Sequence, residues 1–133
     1  ENHEFMVKTR AQKVARIVEE IPDLEVLGEP TGKVLVVGWG STYGPITAAV
    51  RKLQKEGRSV SSIHIRNLNP FPGNLGEILT SFEKVLVPEM NTGQLKTVLR
   101  DQFLVDARPL NKVSGQPFRI HEIEAAIEEA LGG

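Results

Sequence analysis

The 133-residue chain contains no cysteine, which excludes disulfides, thiolate nucleophiles and cysteine-ligated clusters within it. It has no long apolar run. The longest purely aliphatic stretch is Val34-Leu35-Val36-Val37, against roughly 18 residues needed to cross a bilayer. Its first residues are charged and polar, without the apolar core of a signal peptide. The chain opens at Glu1 rather than methionine, and the expectation is a cytoplasmic piece of something longer. No concentrated basic field exists: 16 basic and 17 acidic residues give a net charge of −1, so neither a polyanion nor a membrane surface is an expected partner. His3, His64 and His121 are far apart and lack metal-ligand spacing, so no metal site is expected.

What is present is ordinary globular composition, 40% hydrophobic and 25% charged, at a length that fits one principal domain. Residues 4–20 carry Val7, Ala11, Val14 and Val18 at helical spacing, with Ile21 following and Pro22 as a stop. Residues 22–32 hold two prolines and two glycines and read as a connector. From residue 33 strands and helices alternate. Strands are expected at 34–37, 58–66, 84–88 and around 107–113. The helices between and after them carry Ile46, Ala49, Val50 and Leu53; Leu75, Ile78, Leu79 and Phe82; Leu95, Val98, Leu99 and Phe103; and Ile120, Ile123, Ile127 and Leu131. Asn74 with Glu77, and Asn91 with Gln94, have the spacing of capping boxes. Short connections in such an alternation imply right-handed crossovers and a three-layer, doubly wound, mostly parallel α/β sheet. The expected division is an N-terminal helix and connector over 1–32 and the α/β domain over 33–133.

Ligands of such sheets bind outside the carboxyl ends of the strands. Three segments end there: Gly38-Trp39-Gly40-Ser41-Thr42-Tyr43-Gly44, Arg66-Asn67-Leu68 and Glu89-Met90-Asn91. The first spells G-x-G-x-x-x-G rather than the dinucleotide fingerprint G-x-G-x-x-G. Arg66 stands where an acidic ribose partner would, and would suit a 2′-phosphate of NADP. The other reading is a tight packing turn, with Trp39 and Tyr43 covering a neighbouring protein surface. Glu89 reads either as a salt-bridge partner of Arg66 across the strand ends or as a general acid or base without a visible partner. No serine lies in a nucleophile elbow. The possible ligand or interface set is Gly40, Ser41, Thr42, Tyr43, Arg66, Asn67, Glu89, Asn91 and Gln94; no catalytic or cofactor-binding residue is assigned.

At Gly38-Trp39-Gly40-Ser41-Thr42-Tyr43-Gly44, Leu68-Asn69-Pro70-Phe71-Pro72 and Pro88-Glu89-Met90-Asn91-Thr92-Gly93-Gln94-Leu95 the chain resembles one family, with Leu110-Asn111-Lys112-Val113, Gly115 and Glu122-Ile123-Glu124-Ala125 agreeing. It is similar to the C-terminal region of the alpha subunit of 2-oxoacid:ferredoxin oxidoreductases, closest to the 2-oxoglutarate type. The resemblance implies a transketolase C-terminal-like sheet of about five strands, one of them antiparallel. It implies a parent enzyme that uses thiamine diphosphate, magnesium and an iron–sulfur cluster to turn a 2-oxoacid into an acyl-coenzyme A. The implied partners are the N-terminal part of the same subunit, the beta subunit and ferredoxin. This fragment alone is expected to be inactive and to bind none of those cofactors, its role being structural assembly. The competing expectation is a coenzyme A or substrate site built from Gly40, Ser41, Arg66 and Asn91.

Overall fold

The computed structural model describes residues 22–66, 71–89, 94–103, 106–111 and 117–132. The helix expected over residues 4–20 lies outside them, as does Asn91 of the second capping pair. Four β-strands form one sheet: β1 (Gly32–Trp39), β2 (Val60–Ile65), β3 (Phe82–Glu89) and β4 (Ala107–Asn111), in the order β2-β1-β3-β4. All three pairings are parallel. The helices are α1 (Tyr43–Lys55), α2 (Leu75–Thr80), α3 (Gln94–Phe103) and α4 (Ile120–Gly132), with a short 3-10 turn at Gly40–Thr42.

The aliphatic run in β1 is central because both of its faces are covered, as parallel sheets require. Val34 and Val36 point to one layer with Ile46, Ala49, Val50 and Leu53 of α1 and Ile123 and Ile127 of α4. Leu35 and Val37 point to the other, with Leu75, Ile78 and Leu79 of α2 and Leu95 and Leu99 of α3. The expected doubly wound three-layer fold is the one observed. The helical periodicity has exceptions at helix edges. Val98 and Ile120, assigned to inward faces by spacing, are exposed.

Four strands are described rather than about five, and the antiparallel contact among the described residues is one isolated bridge. Leu27 exchanges backbone hydrogen bonds with Ser62 on the outer edge of β2, at 2.8 and 3.2 Å. The reason the pairing goes no further lies in Asn74. Its side chain makes no capping bond to α2, contrary to the capping-box spacing. Instead Oδ1 accepts the Leu24 N–H at 2.9 Å and Nδ2 donates to the Leu24 carbonyl at 3.1 Å. Both backbone groups of Leu24 are thus satisfied away from β2, and the connector peels off the sheet edge. Gln54 Nε2 and Ser61 Oγ hold its other end, donating to the carbonyls of Leu27 and Glu29.

Candidate functional site

Strand order reverses between β1 and β3, so the crevice at their carboxyl ends is where a sheet of this kind places a ligand. The Gly38–Gly44 loop and Glu89 meet there. Gly38 is buried in the last part of β1, where a Cβ would lie 2.6 Å from Ile46 Cδ1 and 3.1 Å from Thr42 Oγ1. Glycine therefore lets the first turn of α1 close on the strand. Gly40 adopts φ +65°, a left-handed conformation that glycine takes without strain.

The polar groups of this crevice are largely engaged in holding the backbone. Thr42 Oγ1 donates to the Trp39 carbonyl at 2.9 Å and accepts the Trp39 N–H at 3.2 Å, closing the 3-10 turn on itself. Glu89 is only 3% exposed. Its two oxygens accept the N–H groups of Leu95 at 2.7 Å and Lys96 at 3.3 Å. A carboxylate there satisfies free donors of the first turn of α3 and meets the positive end of its dipole. The salt bridge expected between Glu89 and Arg66 is not formed: β1 lies between their strands, and the carboxylate is already committed. Of the candidates at the crevice, Gly40 and Ser41 remain exposed. Asn67 and Asn91 lie outside the described residues, and only the backbone of Gln94 is described.

Tyr43 and Arg66 belong elsewhere. They line a separate cleft of about 500 Å³ at the outer edge of β2, between that strand, α1 and the departing connector. Trp39 and Tyr43, expected as an aromatic interface pair, are divided between the two faces of the sheet. Trp39 is half-buried against the Leu35 layer, while Tyr43 is 52% exposed and meets His64 edge-on with ring centroids 5.1 Å apart. His64 is the site residue that sequence reasoning dismissed, since it lacked metal spacing. Its Nδ1 is buried without a hydrogen-bond partner among the described residues. Burial, and then the nearby Arg66 guanidinium, pull its pKa below the ordinary histidine value. Strand alternation was the available signal, because it places His64 beside Ser62 on the α1 face.

Against known proteins, the family model described as pyruvate:ferredoxin oxidoreductase core domain II matches residues 32–124. The chain is 48% identical over 134 aligned residues to 2-oxoglutarate oxidoreductase subunit KorA of Mycobacterium tuberculosis, covering 99% of this chain and 20% of that protein. It is 35% identical to subunit alpha of 2-oxoacid:ferredoxin oxidoreductase 2 of Aeropyrum pernix, covering 96% and 21%. The chain thus spans about a fifth of the length of these curated relatives. Its structure matches 2-oxoglutarate:ferredoxin oxidoreductase from Magnetococcus marinus with a TM-score of 0.89 and 30% identity, over 98% of this chain and 23% of that one. A split-gene transketolase chain, 19% identical with a TM-score of 0.64 over 82% of this chain and 41% of its own, shares the fold. These are the relatives that the spaced motifs lead one to expect.

Proposed function

Because the chain belongs to the pyruvate:ferredoxin oxidoreductase core domain II family, we propose that it is the C-terminal structural and subunit-assembly part of the alpha subunit of a 2-oxoglutarate-type 2-oxoacid:ferredoxin oxidoreductase. The whole cytoplasmic enzyme would decarboxylate its 2-oxoacid oxidatively, form an acyl-coenzyme A and pass electrons to ferredoxin. This part, taken as residues 33–133, would pack against the N-terminal portion of its own subunit and against the beta subunit. The carrying observation is the engagement of the switch-point groups: Thr42 and Glu89 hold turns and helix ends together rather than a reacting molecule.

The residues present do not fit the cofactors of that reaction. The chain has no cysteine for an iron–sulfur cluster. Among the described residues no three His, Asp or Glu gather as metal ligands for the magnesium of thiamine diphosphate. Those groups therefore belong to other parts of the enzyme in this reading. Size-exclusion chromatography and activity assays of an enzyme lacking residues 33–133 test it. Loss of the native assembly together with activity is expected, and an intact, fully active assembly would sink the idea.

A second reading places coenzyme A or substrate at the exposed Gly40 and Ser41, at the carboxyl end of β1. It draws on the Magnetococcus marinus enzyme, whose structure holds 2-oxoglutarate, coenzyme A and succinyl-CoA. Calorimetric titration with coenzyme A, comparing the native protein with Ser41→Trp, separates the two. Unchanged affinity in the variant removes this second reading.

A further inference from the structure

The cleft at the edge of β2 has a physical origin. Antiparallel pairing begins at Leu27–Ser62, and continuing it would set Glu25 opposite His64 and Asp23 opposite Arg66. The Asn74 clasp on Leu24 draws the connector away instead, and the cleft is the space left behind. Its two walls carry opposite charge. Arg51 and Arg66 stand on the wall made by α1 and β2, while Asp23 and Glu25 stand on the connector. Tyr43 and Arg51 lie eight residues apart on α1, two turns along one helical face.

None of the four charged side chains forms an ion pair with a described residue; the salt bridges that exist involve other groups. Opposite charges facing one another without contact mark a gap wider than a direct salt bridge. His64 lines the same cleft, near Arg66. A buried N–H without an acceptor is rarer in proteins than an unpaired acceptor, which favours the neutral tautomer that leaves Nδ1 bare. That tautomer carries its proton on Nε2, the other ring nitrogen of a residue that lines the cleft. The Tyr43 and His64 rings meet in a T-shaped arrangement with an interplanar angle of 72°. A polyanion does not suit this lining, whose two guanidiniums and two carboxylates are formally neutral together.

We propose that this cleft binds a small zwitterion of the α-amino acid class. Arg51, Arg66 and the Nε2–H of His64 receive its carboxylate, and Asp23 and Glu25 receive its ammonium group. Charge-assisted hydrogen bonds of this kind are about twice as strong as neutral ones, and a planar guanidinium suits a carboxylate. The site is distinct from the switch-point crevice, and the inference does not depend on the reaction of the parent enzyme.

Calorimetry on the full protein that carries this chain tests it, with glycine, L-alanine and L-glutamate as zwitterions, acetate as the bare anion and ethylamine as the bare cation. At least one amino acid should bind saturably, with acetate and ethylamine at least about tenfold weaker. Arg66→Ala and Glu25→Gln, both exposed and remote from the core, should each weaken that binding about tenfold, whereas Arg108→Ala on β4 should leave it unchanged. Acetate binding as tightly as the amino acids, Glu25→Gln binding like wild type, or no saturable binding of any amino acid would each overturn the proposal.

Discussion

The carboxylate of Glu89 accepts the amide N–H of Leu95 at 2.7 Å, tying the end of β3 to the first turn of α3 from a buried position. The second oxygen reaches Lys96 N–H. One side chain thus accepts two N–H groups of the first turn of α3 and closes the strand–helix corner at the switch point.

Replacing Glu89 by Gln keeps the shape but loses the charge, and turns an amide NH2 towards one of two backbone donors. A loss of about 1–2 kcal/mol in unfolding free energy is expected, and about 2–3 kcal/mol for Glu89→Ala, which leaves both N–H groups without this acceptor. Equilibrium denaturation by urea measures both. Wild-type stability in Glu89→Ala would show that the cap does not form.

Asn74→Ala removes the clasp on Leu24 rather than a helix cap. Stability should fall by about 1–2 kcal/mol. Amide exchange should accelerate at Leu24 more than in α2, which distinguishes the clasp from capping. Asn74→Asp, retaining the acceptor but not the donor, should fall between wild type and alanine.

Gly38→Ala places a methyl 2.6 Å from Ile46 Cδ1. Overpacking of this kind costs about 1–3 kcal/mol. Ile46→Val removes the opposing carbon at a cost of about 1 kcal/mol alone. The double variant should be more stable than the sum of the two losses, as expected of residues in contact. Additive losses would place the strain elsewhere.

The depressed pKa of His64 gives stability a particular pH dependence. Its folded-state value lies below the unfolded one, so the neutral ring is favoured by folding. This contribution is fully present above the unfolded value of about 6.5 and is lost as pH falls through the folded value. His64→Gln should flatten that part of the pH–stability curve. Arg66→Ala should flatten it less, since burial is the larger cause. Thermal unfolding of the three proteins from neutral to mildly acidic pH gives the comparison.

Much of the architecture was legible because it rests on local pattern. The aliphatic run of β1, the apolar faces of α1 and α4 and the stop at Gly57, with φ +81°, are each written within a dozen residues. The sites were less legible because their partners are distant or unexpected. Asn74 has the spacing of a capping residue, yet its partner Leu24 is 50 positions away. Glu89 has an obvious cationic candidate in Arg66, yet backbone donors six and seven positions onward hold it. Trp39 and Tyr43 are near neighbours in sequence, but the strand and the helix that follows deliver them to opposite faces. Composition and spacing do not say which polar side chain will satisfy a remote main-chain group.

The Leu27–Ser62 bridge also guards the molecule against itself. A parallel sheet ends in two rows of unpaired main-chain groups, and such rows recruit strands from other molecules. Pro109 lacks an N–H on the β4 side. On the β2 side the protection is the connector, fastened at Leu27, Glu29 and Leu24 by separate bonds. Unfastening it would therefore be felt first as a loss of solubility, with the protein self-associating through β2 under conditions in which its core is still folded.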